Sequence, residues 1–185
     1  MDGSANRVFI SYRRDDAAGY AGRLEEALER RLGHGSVFRD VLDIQPGEDF
    51  VQAIRARLHG AKTVLVLIGP RWAGTDAAGQ RRIDDEQDFV RLEVTVALDS
   101  NAQVVPVLLP GADMPPEASL PPPLRPLARR NALSLSDEHW DADIARLADS
   151  IGLQISFLVP AACYLFILYY GVKYADLHKQ KVAAE

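Results

Sequence analysis

The chain has 185 residues and a net charge of −5, and because 48% of its residues are hydrophobic and 25% are charged, it is not a largely disordered polymer. This length suits one α/β domain with a short addition. The acidic balance gives no electrostatic footprint for nucleic acid, and the single cysteine, Cys163, excludes an internal disulfide and a cysteine-based zinc site.

Short apolar runs rich in β-branched residues alternate with segments of helical periodicity over the first 150 residues. This alternation is typical of a parallel sheet flanked by helices. The predicted strands are residues 7–12, 36–38, 62–68, 104–109 and 131–135. The predicted helices are residues 17–32, 50–59, 88–98 and 141–150, the first capped by Asp15 or Asp16. We expect a flavodoxin-like, five-stranded parallel sheet with helices on both faces, and a ligand at the carboxyl ends of the strands.

The last part of the sequence differs from the rest. Residues 151–172 contain no charged residue, and as a helix they would span roughly 30 Å, the thickness of the hydrocarbon core of a bilayer. Four tyrosines gather toward the end of this run, where interfacial aromatic residues are found. We therefore expect one domain over residues 1–150, an apolar transmembrane helix over residues 151–173 and a short polar tail over residues 174–185. The alternative is a helix buried in an oligomer.

Several common enzyme motifs are absent from the sequence. There is no GxGxxG, Walker, GxSxG or HExxH pattern, and the four histidines are scattered, so neither a metal nor a resident cofactor is expected. A phospho-receiver domain has the same predicted sheet. It needs an aspartate at the end of the third strand, where this chain has Ile68-Gly69-Pro70, and that alternative is excluded.

Three stretches occur in a fixed order. The first is VFISYRRD at residues 8–15, the second runs from VFRD at residues 37–40 through DIQPG to Phe50, and the third is DFVRLEVTVAL at residues 88–98. Together, with Trp72 after the third strand, they resemble the motifs of bacterial Toll/interleukin-1 receptor (TIR) domains. They are also similar to the NAD-hydrolysing TIR domains of the sterile-alpha/TIR family.

The resemblance implies a set of residues that contact NAD+. In this chain they are Ser11, Tyr12, Arg13, Arg14, Asp40, Gln45 and Trp72. The assignment of Arg13 and Arg14 also has a physical reason, because guanidinium groups at the carboxyl end of the first strand suit a pyrophosphate. Gln45 occupies a position that is often acidic in the family, and its amide can accept a ribose hydroxyl but supplies no charge.

The resemblance implies that Glu93 is the catalytic residue. The helical period predicts an inward stripe of Phe89, Leu92 and Val96, with Glu93 at the boundary of that stripe, about 100° from Leu92. Breaking the bond between nicotinamide and ribose develops positive charge on the sugar, which a fixed carboxylate stabilises. Nicotinamide leaves as a neutral molecule, so no general acid is required.

These observations predict an NAD+ glycohydrolase that acts in signalling or defence and produces nicotinamide with ADP-ribose or cyclic ADP-ribose. NAD+ is its substrate, and the resemblance implies that other TIR domains are its partners in a homo-oligomer. One alternative is a non-enzymatic TIR adaptor that acts through TIR–TIR assembly. A second is an enzyme similar to nucleoside deoxyribosyltransferases.

The predicted transmembrane helix raises the question of orientation. Lys173 is its last residue and Lys179 and Lys181 follow it, whereas Arg146 is the only basic residue in the roughly 20 residues before it, and this asymmetry would place the domain outside the cell. The substrate NAD+, the lack of disulfides and the lack of an apolar N-terminal signal favour the opposite orientation. We therefore expect a single-pass membrane protein with its TIR domain in the cytoplasm.

Overall fold

The computed structural model describes residues 7–39 and 50–156. In chain order its helices and strands are β1 (Val8–Ser11), α1 (Arg14–Leu32), β2 (Val37–Arg39), α2 (Phe50–Leu58), β3 (Thr63–Ile68), α3 (Phe89–Leu98), β4 (Gln103–Leu108), β5 (Leu133–Ser134) and α4 (Trp140–Ser156). Short 3₁₀ helices cover Arg82–Asp84, Glu117–Ser119 and Pro122–Arg129. The chain divides into two compact units, Met1–Ala148 and Asp149–Glu185, and the described part of the second unit is the end of α4.

The strands form one parallel sheet in the order β2-β1-β3-β4-β5. Every residue of β1 and β3 is buried, as expected for inner strands that are covered on both faces. Such strands must be apolar along nearly their whole length, and in β1 only the last residue, Ser11, is polar. The predicted flavodoxin-like order is confirmed, and it brings the carboxyl ends of β1 and β3 together.

Side chains alternate between the two faces of the sheet, so Ser11 lies on the same face as Phe9. On that face Phe9 belongs to a core cluster that includes Ile54 of α2 and Val90 and Val94 of α3. The polar end of β1 therefore faces α3.

Helix α1 and the beginning of α4 contact each other through three side chains. The ring centroids of Tyr20 and Trp140 lie 6.2 Å apart with their planes tilted, and the Arg23 guanidinium lies 3.8 Å from the Trp140 ring centroid.

The beginning of α1 differs from the prediction. The helix starts at Arg14 with Arg13 as its N-cap residue, and no side chain caps it. Asp15 and Asp16 lie in the first turn, where negative charge is favourable beside the helix dipole. The Asp16 carboxylate instead accepts a hydrogen bond of 3.0 Å from the backbone N–H of Arg71, which joins α1 to the loop after β3.

The end of α4 corrects the predicted transmembrane helix. Residues up to Ser156 belong to α4, which begins with acidic residues in its first turn and buries an apolar stripe to which Ile151 belongs. None of the helices within residues 7–39 and 50–156 combines the length and the hydropathy that a membrane span requires. The predicted spanning helix and the membrane location derived from it are therefore wrong, because Ile151 continues an amphipathic helix instead of starting an apolar one. Residues 157–173 lie outside the described residues.

A polar contact fixes the beginning of α4. The backbone N–H and the hydroxyl of Ser136 donate to Oδ2 of Asp143, at 2.9 and 3.0 Å, and Arg146 donates to Oδ1 at 2.6 Å. The backbone hydrogen bond from Ser136 is the main cause that lowers the pKa of Asp143 below its ordinary value. The ionised carboxylate therefore ties the β5–α4 connection to the helix.

This lowered pKa predicts a pH-dependent contribution to stability. In the unfolded chain Asp143 has an ordinary pKa of about 3.9, so its contribution is fully present above that pH and is lost as pH falls through the lower pKa of the folded state. We expect the chain to be more stable than the Asp143→Asn variant at neutral pH, and the difference to vanish in acid. Urea titrations of both proteins from neutral pH downward measure it. A difference that stays constant below about pH 3 would contradict this assignment.

Candidate active site

Helix α3 carries Glu93 on its buried face. The buried residues of α3 are Val90, Glu93, Val94 and Ala97. The predicted inward stripe was Phe89, Leu92 and Val96, but Phe89 is 46% exposed and the other two are half-buried. Both sets have helical spacing, so periodicity alone could not choose between them. The helix is rotated relative to the prediction, and Glu93 lies within its buried face with only 8% of the residue exposed.

The Glu93 carboxylate meets the end of β1. The Ser11 hydroxyl donates to Oε2 of Glu93 at 2.6 Å, and Ser11 is fully buried. A distance this short is typical of a hydroxyl that donates to a charged carboxylate. The contact joins residues that lie 82 positions apart in the sequence. It places the carboxylate at the carboxyl end of an inner strand, where the fold class predicts a ligand.

Arg13 is held inside the protein by a bidentate ion pair. Its two terminal nitrogens each lie 3.0 Å from a carboxylate oxygen of Asp88, and its Nε donates to the Trp72 carbonyl at 2.6 Å. The side chains of Arg13 and Asp88 are both only 2% exposed. Asp88 is also the N-cap residue of α3, where it accepts the backbone N–H of Arg91 at 3.0 Å. The pair therefore connects the beginning of α1, the loop after β3 and the beginning of α3.

Gly74 makes room for the Arg13 side chain. Its φ is +66°, a left-handed conformation that residues with a Cβ rarely adopt. A Cβ at this position would also lie 2.8 Å from Cζ of Arg13. The loop after β3 can therefore pass this close to the guanidinium group only because residue 74 is a glycine.

Trp72 and Tyr12 both lie inside the protein, with 4% and 8% of each residue exposed. The Trp72 side chain belongs to the core cluster that contains α3. The Tyr12 hydroxyl accepts a hydrogen bond of 3.3 Å from Arg39, whose Nε donates to Glu25 at 2.5 Å. This hydrogen bond from Arg39 to Glu25 raises the pKa of the guanidinium further.

Three further residues were predicted to contact NAD+: Arg14, Asp40 and Gln45. Arg14 is exposed in the first turn of α1, directly after the buried Arg13. Asp40 and Gln45 lie outside the described residues. In the part of the chain that the structure describes, no group of three or more histidine, cysteine, aspartate or glutamate side chains could hold a metal ion.

Sequence reasoning missed the role of two residues in this site. Asp88 is the first residue of the third motif, but its ion pair with Arg13 spans 75 residues and has no local signal. Gly74 was one of several glycines in a polar loop. The sequence did contain one clue to the position of Asp88, because an aspartate directly before a helical apolar run is a common N-cap residue.

Comparison with known proteins agrees with the fold and the motifs. The sequence matches the profile of the TIR domain family over residues 8–148. It is 32% identical, over 142 residues, to the NAD(+) hydrolase sarm1 of Drosophila melanogaster, an alignment that covers 76% of this chain and 10% of the length of that relative. The chain therefore corresponds to a small part of that protein.

Two solved structures share the fold. The TIR domains in the activated Roq1 resistosome superpose with a TM-score of 0.54 at 14% identity, over 80% of this chain and 99% of that chain. A prokaryotic SEFIR domain superposes with a TM-score of 0.52 at 19% identity, over the same two fractions. Since the profile match spans most of the chain, and the strand order and the three motifs agree with it, this protein belongs to the TIR domain family.

Proposed function

We propose that this TIR domain is an NAD+ glycohydrolase and that Glu93 is its catalytic residue. The observation that carries the proposal is the buried Glu93 carboxylate, fixed by the Ser11 hydroxyl at the carboxyl end of β1. A glutamate that serves only to solvate the surface of a helix does not require a buried position of this kind. A carboxylate that is partly removed from water interacts more strongly with positive charge that develops beside it.

The reaction requires little more than this carboxylate. The bond between C1′ of the ribose and the nicotinamide nitrogen breaks, and both of its electrons leave with nicotinamide, which becomes neutral. The positive charge that develops on the ribose is stabilised by Glu93. In hydrolysis a water oxygen bonds to C1′ and one proton is released, which gives ADP-ribose. In cyclisation a nitrogen of the adenine base forms that bond and gives cyclic ADP-ribose.

Two other residues suit the binding of the substrate. Arg14 is exposed in the first turn of α1, directly after the end of β1, where a guanidinium group suits a pyrophosphate. Phe89 is 46% exposed one helical turn before Glu93, where an aromatic ring can form a wall for a planar base. We assign the pyrophosphate to Arg14 and the aromatic wall to Phe89.

The similarity to an NAD(+) hydrolase supports this proposal, and it extends through the motif that contains Glu93. A non-enzymatic adaptor that acts only through TIR–TIR assembly is the competing function. A function in assembly alone does not require a buried carboxylate at the carboxyl ends of the strands. Assembly with other TIR domains is compatible with catalysis, and we propose that the chain forms homo-oligomers.

The test is the consumption of NAD+ by the purified chain. We expect nicotinamide to appear in a one-to-one ratio with the NAD+ that is lost, and chromatography of the products to identify ADP-ribose or its cyclic form. The assay is run at protein concentrations from nanomolar to tens of micromolar, because an assembled enzyme gains activity per molecule as its concentration rises. The Glu93→Ala variant is the matched control. NAD+ that remains undiminished after long incubation with both proteins would identify an adaptor.

A further inference from the structure

The fold does not require a polar side chain at the position of Ser11. It is the last residue of β1, after the apolar residues Val8, Phe9 and Ile10, and it is fully buried. An alanine or a valine would fill this position without a polar group to desolvate. A buried hydroxyl is unfavourable unless it forms a hydrogen bond, and the partner of this one is Oε2 of Glu93.

The direction of this hydrogen bond decides what Ser11 can do. A serine has one O–H to donate, and an ionised carboxylate only accepts, so the Ser11 proton points at Glu93. A donor fixed on an inner strand removes rotational freedom from the glutamate side chain. This restriction orients Glu93 before a substrate binds.

We propose that Ser11 is a positioning residue for Glu93 and not a residue that contacts NAD+. Its hydroxyl holds Oε2 and thereby sets the orientation in which the carboxylate meets the ribose. This inference rests on the proposed function, because it assigns Ser11 a part in the reaction of Glu93. It also replaces the expectation from the sequence that Ser11 binds the substrate.

The test compares Ser11→Thr with Ser11→Val. The two side chains have nearly the same shape and both favour a strand, but only threonine keeps the hydroxyl. We expect kcat of the threonine variant to lie within about threefold of the unmodified chain. We expect the valine variant to lose about 10- to 100-fold in kcat, the effect of one hydrogen bond to a charged group, with KM nearly unchanged.

Ser11→Ala is measured beside these variants, because it removes the hydroxyl without adding an atom and is therefore the variant that the core accommodates most easily. Cooperative urea unfolding of each variant shows that the fold is kept. Equal kcat values for the threonine, valine and alanine variants would overturn the positioning role. A rise in KM with kcat unchanged would overturn it as well, because that result belongs to a substrate contact.

Glu93→Gln in the same assay separates this inference from the proposed function. If Glu93→Gln keeps full activity, Glu93 is not catalytic, and the proposed function fails together with the inference. If Glu93→Gln is inactive and the Ser11→Val and Ser11→Thr variants are equally active, the proposed function stands and the positioning role alone is wrong.

Discussion

Glu93→Gln is expected to lower kcat for NAD+ cleavage by about two orders of magnitude or more, with little change in NAD+ affinity. Glutamine has the shape of glutamate, and its amide oxygen can still accept the Ser11 hydroxyl, so the local structure is kept. It carries no negative charge, and the positive charge on the ribose in the transition state loses its stabilisation. Initial rates and NAD+ binding by calorimetry, measured on the same preparations, separate these two effects.

Glu86→Gln is the matched control for this experiment. Glu86 lies shortly before α3, and its side chain is 89% exposed, with Arg91 as an ion-pair partner at 3.4 Å. The same chemical change there should leave cleavage within about twofold of the unmodified chain, because an exposed charge is screened by water and salt. If Glu93→Gln also cleaves NAD+ within threefold, the assignment of Glu93 is wrong.

Asp88→Asn is expected to lower the free energy of unfolding by about 3–5 kcal/mol. The substitution keeps a good N-cap residue for α3 but leaves the Arg13 guanidinium buried without its counter-charge. The new amide NH2 also faces a donor nitrogen of Arg13. Urea denaturation followed by circular dichroism measures the change. A loss of this size is a large share of the stability of a typical domain.

The exposed ion pair between Arg23 and Asp137 is a close control. Its nitrogen–oxygen distance is also 3.0 Å, but its side chains are 47% and 58% exposed. Asp137→Asn should change the free energy of unfolding by less than about 1 kcal/mol, because water already solvates both charges. Equal losses in the two variants would show that burial does not set the strength of the Arg13–Asp88 pair.

Much of the candidate site could be proposed from the sequence because its residues belong to local motifs. Glu93, Ser11 and Arg13 were each identified from short stretches that resemble those of TIR domains. Their contacts were not predictable, since Ser11 meets Glu93 across 82 residues and Arg13 meets Asp88 across 75. From the sequence alone, an arginine beside the end of a strand suggests a phosphate ligand. Only the folded chain brings an aspartate within reach and uses the guanidinium to join three segments.

The alternation of apolar runs and helical segments was sufficient to predict the five-stranded parallel sheet and its order, because inner strands covered on both faces need uninterrupted apolar residues. The rotation of α3 was decided by tertiary structure. Apolar side chains surround most of this helix, so Phe89 and Val90 are equal candidates for burial until the neighbouring strands are in place. The same holds for Ile151, which begins an apolar run in the sequence but in the fold continues the buried stripe of α4. Periodicity describes one element at a time, whereas the face that an element buries depends on what packs against it.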